Sequence, residues 1–441
     1  MLTRPSPTAD RATAHASVDG DPAGGPGNET VITPERARRL DHARILIYSH
    51  DTFGLGHLRR CQAIAHALVD SFKGLSVLII SGSPIASSFE FRARVDFVKI
   101  PSVIKNYNGE YTSLDRHIDL TQTLALRRSI ILHTAKSFDP DIFIVDKEPM
   151  GLRGEVEETL SFLGSRGCLK VLGLRDVMDS PRLLEREWAR NDLLTKIDRH
   201  YDDIWVYGPE DFWDPFTDLP ASAALRSRRL FTGFLRREVR DTAPDIAWPD
   251  NMLVVTAGGG GDGSQLMAQA LAAYEHDSTL THPLVLVLGP FMATDERKDI
   301  SQKARHNPHA RVIDFEAHLL SLMRAASGVV SMAGYNTFCE ILSLDQRALF
   351  VPRVTPREEQ LIRATRANEL GLGAVLHPDA ANHPGLFAAA LHDLPTRPRP
   401  SEALKAVDMD GLERICDRIA SYFSDRSQQT VATSRQRRDN D

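Results

Sequence analysis

The stretch that decides the fold covers residues 44–69, RILIYSHDTFGLGHLRRCQAIAHALV, and has the pattern of a strand, a turn and a helix. Its first residues are apolar over the length of a strand, and apolar residues recur at helical spacing after His57. The glycines between them permit a tight turn. The unit also places His57, Arg59 and Arg60 where the strand meets the helix, which a purely structural turn does not require.

The same alternation of strand and helix continues through the chain. The first series of apolar strand candidates is RILIYS at 44, LSVLIIS at 75, VDFVKI at 95, DIFIVD at 141, KVLGLRD at 170 and DIWVYG at 203. The second series is NMLVVTAGG at 251, LVLVLG at 284, ARVIDF at 310, GVVSM at 328, ALFVP at 348 and AVLH at 374. Strands that are apolar on both faces and separated by helix-length segments indicate parallel sheets covered on both sides. We therefore expect an α/β fold of two doubly wound, Rossmann-like domains that face each other across a cleft.

Composition sets the domain boundaries. Residues 1–42 are rich in Pro, Ala, Gly and Asp without periodicity and predict a disordered tail, as does the polar segment 425–441. The polar, proline-broken stretch 239–250 predicts a linker. The first domain is then expected to span residues 43–238, and the second residues 251–424 with a final helix from Gly411.

Charge and cysteine usage exclude several classes of protein. The net charge of −6 over 441 residues gives no reason to expect nucleic acid as a partner. The four cysteines are isolated, which favours a reduced, cytoplasmic protein without disulfides. No run approaches the roughly 20 apolar residues of a membrane span. Contact with the inner face of a membrane stays open, because a linear pattern does not assemble a surface patch.

A second glycine-rich turn, AGGGGDGS at 257, follows the first strand of the second series. Helix N-termini at the carboxyl ends of parallel strands are suited to phosphate. The turn matches the spacing GxGxxG, but the next strand lacks the acidic residue of a dinucleotide site, and the Lys-Ser/Thr pair of a P-loop is absent. The alternatives of a phosphate loop and a flexible turn both stay open for Gly258, Gly259, Gly260 and Gly261.

The segment SMAGYNTFCEILSLDQRALFVP, residues 331–352, is more specific, and TPREEQLIRA follows it at 355. Together they resemble the nucleotide-sugar signature of two-domain GT-B glycosyltransferases of family 28, the family of the lipid-linked peptidoglycan N-acetylglucosaminyl transferase. The resemblance implies that the turn and helix amides around Gly334, Asn336 and Thr337 hold a diphosphate. It implies that Glu340 accepts hydrogen bonds from ribose hydroxyls, and that the donor sugar is held by Glu359 and Gln360.

Glu340 could instead serve only to cap the helix, without any ligand, because Thr337 followed three residues later by Glu340 matches a capping box. The chain departs from the family at Arg363, where the family usually shows Asn. This departure bears on the sugar contacts and leaves the diphosphate argument unchanged.

Two further donor contacts follow from the resemblance. Counting from TGFLRRE at 232 points to Arg237 as a phosphate contact, with Arg236 as the competitor, and either arginine could instead be a solvated linker charge. VIDF at 312 places Phe315 where the family has a wall of the nucleobase site, although an aromatic residue there is more often part of a core.

The turn of the first domain, GLGHLRRC, is similar to the Gly-x-Gly-His turn shared by such transferases and by a nucleotide-sugar hydrolase of pseudaminic acid synthesis. The resemblance implies an acceptor-side loop that contains Gly54, Gly56 and Arg60. VDKEPMGLRGE at 145, GLRDVMDSP at 173 and YDDIWVYGPEDFWDP at 201 are similar to a group of predicted bacterial glycosyltransferases related to the peptidoglycan enzyme.

His57 is the candidate general base. The positive end of a helix disfavours imidazolium, so the ring is expected to be neutral and able to take a proton near pH 7. Asp146 and Glu148, in the loop DKEP, are the second candidates for this role. The alternative for His57 is a histidine that only caps or packs at a turn.

The resemblance implies an inverting, metal-independent hexosyltransferase that acts in bacterial cell-envelope polysaccharide synthesis and needs no cofactor. Its donor would be a nucleoside-diphosphate sugar, with a UDP-sugar expected first. The acceptor would be a hydroxyl group of a sugar, a lipid-linked molecule or a small molecule. Two other functions stay open: a nucleotide-sugar hydrolase or epimerase of the same fold, and a nucleotide-sugar-binding protein without turnover.

Overall fold

The protein is described from a computed structural model, which covers residues 38–50, 56–105, 111–113, 118–239, 248–259, 261–316 and 318–438. Two parallel sheets with helices around them form its frame. The α/β fold of two Rossmann-like domains predicted from the sequence is confirmed. Of the predicted site residues, Gly54 and Gly260 lie outside the described residues.

The first domain is built on a seven-stranded parallel sheet. The strands of this domain, including those outside the main sheet, are β1 (Arg38–Arg39), β2 (Arg44–Ser49), β3 (Phe72–Lys73), β4 (Ser76–Ser81), β5 (Val95–Lys99), β6 (Val103–Lys105), β7 (Tyr111–Ser113), β8 (Ile142–Asp146), β9 (Leu169–Arg175), β10 (Asp203–Tyr207) and β11 (Arg229–Phe231). The sheet order is β11-β10-β9-β8-β2-β4-β5, while β1 with β3 and β6 with β7 form two small pairs. Its helices are α1 (Gly56–Ser71), α2 (Leu120–Phe138), α3 (Glu157–Gly164), α4 (Pro181–Arg190), α5 (Leu193–His200) and α6 (Ala223–Ser227).

The second domain carries a six-stranded parallel sheet in the order β14-β13-β12-β15-β16-β17. Its strands are β12 (Leu253–Thr256), β13 (Leu284–Val287), β14 (Ala310–Ile313), β15 (Gly328–Ser331), β16 (Ala348–Phe350) and β17 (Ala374–Val375). Its helices are α7 (Ser264–His276), α8 (Thr294–Ala304), α9 (Leu319–Ala325), α10 (Tyr335–Ser343), α11 (Glu359–Glu369), α12 (Pro378–Ala381), α13 (Pro384–Asp393) and α14 (Gly411–Arg438). Among the described residues, no helix combines the length and the apolar character needed to cross a membrane.

Burial explains why these strands were recognisable in the sequence. Every residue of β8 is buried, as is every residue of β12, because helices cover both faces of each sheet. Each sheet reverses its strand order at its first long strand, β2 in one and β12 in the other. Ligands of such sheets bind where the order reverses, at the carboxyl ends of the strands.

The structure moves the inner boundary of both predicted tails. Arg38–Arg39 pairs with Phe72–Lys73, so ordered chain begins before residue 43. At the other end, α14 continues to Arg438, through most of the segment predicted to be disordered from residue 425. That segment lacks an apolar stripe but is rich in Gln and Arg, which tolerate a helix.

The final helix, which follows the second domain in the chain, packs against the first domain. Arg418 donates to Asp203 over 2.7 Å, and Arg426 donates to Asp141 over 2.7 Å. Asp203 begins β10 and Asp141 directly precedes β8. The helix therefore covers the amino-terminal edge of the first sheet and leaves the carboxyl edge of that sheet to face the second domain.

The two domains share a buried contact, which we call the seam: the ends of β8 and β9 and the first turn of α1 on one side, and α10 and α11 on the other. An aromatic cluster lies beside it, in which Phe234 of the first domain contacts Phe338 of the second with ring centres 5.3 Å apart. Arg363 of α11 and Asp176, just after β9, form a fully buried two-point ion pair over 2.6 and 2.8 Å. Arg363 also donates to the carbonyl of Ala333 over 2.9 Å.

We expect Arg363→Met to lower the free energy of unfolding by about 3 to 5 kcal/mol, because it leaves the Asp176 carboxylate buried without its partner. Urea unfolding measures this change. The Arg363→Met, Asp176→Leu double variant should recover most of the loss. Lys303→Met, which breaks an exposed pair with Asp299, is the control and should cost less than about 1 kcal/mol. A loss of that small size in Arg363→Met would show that the seam does not depend on the pair.

Candidate functional site

The first turn of α1 lies directly against α10, so the predicted acceptor side and the predicted donor side meet. Asn336 donates through Nδ2 to the carbonyl of Gly56 over 2.8 Å. Arg59 forms an ion pair with Glu340 over 2.8 Å. Arg237 joins the same group, because its Nη2 donates to Asn336 Oδ1 over 3.0 Å. Asn336, Glu340, Gly56 and Arg237, all selected from the sequence, are therefore brought together at the seam.

His57, the second residue of α1, is held by the end of β8. Its Nδ1 lies 2.5 Å from Oδ2 of Asp146, which is buried. A carboxylate can only accept a hydrogen bond, so Nδ1 carries the proton and Nε2 keeps a lone pair. Nε2 makes no hydrogen bond to any residue within the described ranges. The arrangement fixes the imidazole as an oriented proton acceptor.

Arg60 completes this group from the next turn of α1. It donates to Asp146 through Nε over 2.8 Å and through Nη2 over 2.6 Å. Burial would raise the pKa of Asp146, but Arg60 and His57 outweigh it and hold the pKa of that carboxyl well below its usual range. Asp146 therefore stays ionised and serves as the anchor of His57 and Arg60.

Burial lowers the pKa of His57 to about 4, against the opposing effect of the hydrogen bond that His57 donates to Asp146, and the charge of Arg60 lowers it further. The ring is therefore neutral at pH 7. The sequence predicted the same neutral ring from the helix dipole, whereas in the structure burial is the largest cause of the lowered pKa.

Glu148 lies apart from this group. Its carboxylate pairs with Lys147 over 3.3 Å, and no described residue links it to His57 by a hydrogen bond. Burial would raise its pKa, but Lys147 and His50 lower it to about 2. Glu148 therefore lies outside the hydrogen-bonded group of His57, Asp146 and Arg60.

A buried polar chain behind His57 was missed in the sequence. His50 lies with its ring centre 5.8 Å from that of His57, and its Nδ1 is 3.2 Å from the Tyr48 hydroxyl. The Tyr48 hydroxyl donates to Glu155, which accepts from Arg127 over 2.7 and 2.6 Å. Burial lowers the pKa of His50 to about 3, so it too is neutral. Its only sequence signal was its place just past the end of β2.

On the donor side, the turn before α10 is shaped for close approach. Ala333 has a left-handed backbone with φ of 58°, and a side chain at Gly334 would meet no atom within 4 Å. The turn after β12 lies against the same helix, since a side chain added at Gly258 would lie 3.2 Å from the Thr337 hydroxyl. The turn that contains Gly258, Gly259 and Gly261 thus lies against the first turn of α10.

The capping-box alternative for Glu340 is wrong. The N-cap of α10 is Gly334, without a side-chain cap, so Thr337 and Glu340 lie inside the helix. Glu340 is 1% exposed, and its Oε2 has no hydrogen-bond partner among the described residues. An unpaired carboxylate oxygen is costly to bury and is available to a ligand.

The second pair of donor-side residues lies at the start of α11. Glu359 accepts from Arg353 over 2.9 Å, and Gln360 accepts from the Arg353 amide over 3.1 Å. Burial would raise the pKa of Glu359, but Arg175 and Arg353 lower it to about 2. Its Oε2 is buried and unpartnered within the described ranges. The position where the family has Asn is filled by Arg363, which is committed to Asp176.

Phe315 follows β14 and is 55% exposed, so the alternative that it belongs to the core is wrong. Its role as a nucleobase wall stays a prediction. Arg236, the competitor of Arg237, is exposed and lies 3.7 Å from Asp410. No group of three or more metal-ligating side chains with suitable geometry occurs among the described residues.

The two neutral histidines predict how stability depends on pH. Their folded pKa values lie below the ordinary value of 6.5, so the unfolded chain binds protons first as pH falls. Each histidine should therefore lower the free energy of unfolding by about 2 kcal/mol as the pH falls from 7 to 5, a range that lies above the one in which carboxylates titrate. Urea unfolding at both pH values measures the loss, and His57→Gln should lose about 2 kcal/mol less than wild type. An unchanged pH dependence in His57→Gln would contradict a neutral His57 ring with a lowered pKa.

Comparison with known proteins agrees with this geometry. Residues 252–419 match the glycosyltransferase family 28 C-terminal domain. No curated protein sequence matches the chain. Among solved structures, MurG from Acinetobacter baumannii is similar, with 13% identity, a TM-score of 0.54 and coverage of 86% of this chain and 99% of that chain.

Two further solved structures show the same fold. Phytolacca americana UGT2, complexed with UDP-2-fluoro-glucose and pterostilbene, is 14% identical with a TM-score of 0.54, covering 86% of this chain and 94% of its own. A Listeria monocytogenes protein provisionally named a UDP-N-acetylglucosamine 2-epimerase is 12% identical with a TM-score of 0.54, covering 87% and 97%. The chain therefore has the fold of these two-domain structures, and within it residues 252–419 match the glycosyltransferase family 28 C-terminal domain.

Proposed function

We propose that the protein transfers a sugar from a nucleoside-diphosphate sugar to a hydroxyl group, with inversion at the anomeric carbon and with His57 as the general base. One observation carries the proposal: the oriented lone pair of His57 and the donor-side helix α10 lie at the same seam. The fold alone does not separate transfer from hydrolysis or epimerisation, because an epimerase shares it.

The donor would bind against the second domain. Its diphosphate fits the turn at Gly334, where the first amides of α10 and the positive end of that helix favour negative charge. Arg237 lies beside this turn through its bond to Asn336 and supplies a cation there. The unpartnered Oε2 of Glu340 is suited to accept a hydrogen bond from a ribose hydroxyl. A UDP-sugar is the first donor to test.

The chemical step follows from the tautomer of His57. Nε2 takes the proton of the acceptor hydroxyl while that oxygen attacks the anomeric carbon. The bond from the anomeric carbon to the diphosphate oxygen breaks, and the nucleoside diphosphate leaves with the electron pair. Asp146 stabilises the imidazolium that forms. A single direct attack inverts the anomeric carbon, and the helix end and Arg237 balance the charge on the leaving group without a metal ion.

The acceptor would approach along the first turn of α1, next to His57. Its class stays open among sugars, lipid-linked molecules and small molecules. A lipid-linked acceptor would bring the protein to the inner face of a membrane, where a cytoplasmic enzyme can bind peripherally.

Incubation with a panel of nucleotide sugars tests the proposal. We expect nucleotide release that depends on an added hydroxyl acceptor and falls about 100-fold or more in His57→Gln, because general-base catalysis contributes about 10² to 10⁴. Asp146→Asn should also slow release, since it loses the tautomer control. Lys303→Met, a surface variant, is the control and should match wild type. Free sugar released without an acceptor would support the hydrolase, and binding without release would contradict both enzymes.

Glu340→Gln separates nucleotide binding from structure. We expect about a tenfold loss of affinity for the matching nucleoside diphosphate, because one charge-assisted hydrogen bond to ribose is weakened. Isothermal titration calorimetry measures the affinity, and thermal unfolding in the same buffer checks the fold. An unchanged affinity with lowered thermal stability would mean that Glu340 serves only its ion pair with Arg59.

A further inference from the structure

Arg175 is a cation of the first domain that the proposed chemistry does not use. It is the last residue of β9, at the carboxyl edge that faces the second domain. Its Nε is buried and has no hydrogen-bond partner among the described residues. The neighbouring arginines at the seam are all paired, Arg60 with Asp146 and Arg363 with Asp176. A buried, unpartnered guanidinium nitrogen calls for an explanation.

The position of α11 brings Arg175 close to Glu359. Glu359 and Arg363 are four residues apart on this helix and so lie on the same face. Arg363 is fixed to Asp176, the residue that directly follows Arg175. The end of β9 and this face of α11 therefore bring Arg175 and Glu359 to the same part of the seam.

Charge supports this placement. After burial, Glu359 is the largest influence on the pKa of Arg175, and Arg175 is the largest influence on that of Glu359. Burial still lowers the pKa of Arg175 to about 10, so both groups are charged at pH 7. The two opposite charges nevertheless make no hydrogen bond to each other.

The two groups left unpaired are complementary to one kind of ligand atom. Oε2 of Glu359 needs a donor, and Nε of Arg175 needs an acceptor. A hydroxyl group is both a donor and an acceptor, so one sugar hydroxyl satisfies the two groups at once. A phosphate oxygen would bond to Arg175 but would meet the negative charge of Glu359.

We propose that Arg175 is a specificity-determining residue that binds a hydroxyl group of the transferred sugar together with Glu359. The inference rests on the proposed function, because it places the donor sugar at the start of α11. It adds a contact from the acceptor-side domain to the sugar contacts of Glu359 and Gln360 that the family resemblance implies. Binding of the sugar would then couple the two domains.

The test compares Arg175→Gln with wild type by calorimetry, using the nucleotide sugar of a UDP-, GDP- and dTDP-sugar panel that wild type binds most tightly and the matching free nucleoside diphosphate. We expect Arg175→Gln to bind the nucleotide sugar about tenfold more weakly and to bind the free nucleoside diphosphate as wild type does. Glu359→Gln should show the same selective loss. The double variant should lose less than the product of the single losses, because both groups bind one hydroxyl.

Lys170→Gln is the matched control, since Lys170 lies at the opposite end of β9 and pairs with Asp202. It should bind both ligands as wild type does. Equal loss of both ligands in Arg175→Gln would assign Arg175 to the diphosphate and overturn the inference, as would unchanged binding of both. If wild type bound no nucleotide sugar, the proposed function would fail and this inference with it. Thermal unfolding of each variant excludes misfolding as the cause of a selective loss.

Discussion

Charges buried between the two sheets must find partners, and this constraint organises the molecule. A buried ion pair is tolerated only when both partners are present with good geometry. At the seam, each domain supplies one partner to the other: Arg363 binds Asp176, and Arg59 binds Glu340. These pairs fix how the first turn of α1 lies against α10. The same contact brings His57 to the donor-side helix.

The proposed function depends on polar atoms at the seam that these ion pairs leave without a partner. Oε2 of Glu340, Oε2 of Glu359 and Nε of Arg175 are buried without partners among the described residues. All three lie at the seam, while His57 keeps a lone pair there. Ribose and sugar hydroxyls match these groups in hydrogen-bonding character. A nucleotide sugar would therefore complete a hydrogen-bond network that the protein chain leaves incomplete.

The sequence predicted the frame well because its signal is local. Strands such as β8 and β12 are buried on both faces, so they are continuous apolar runs. The glycine turns and α10 were recognisable for the same reason. In contrast, α14 was cut short in the prediction because its polar second half has no apolar stripe. Its packing on the first domain depends on Arg418 and Asp203, which are distant in sequence.

The site was predicted only in part, since its roles depend on distant pairings. His57 and Asp146 were both selected, but the sequence offered Asp146 as an alternative base, whereas the structure shows it as the partner that orients His57. Arg363 looked like a departure from the family, and its meaning required the position of Asp176. His50 and Arg175 lie in stretches that the sequence singled out, but no motif assigned a role to either residue. Whether a side chain at a strand end is paired or unpaired is set by the opposite domain.

A crystal structure with a bound nucleotide sugar would show directly whether the donor lies between α10 and His57. We expect the diphosphate on the first amides of α10, a ribose hydroxyl at Glu340, and the anomeric carbon facing Nε2 of His57. A nucleotide sugar bound away from the seam would contradict it. So would one bound at α10 with its anomeric carbon turned away from His57.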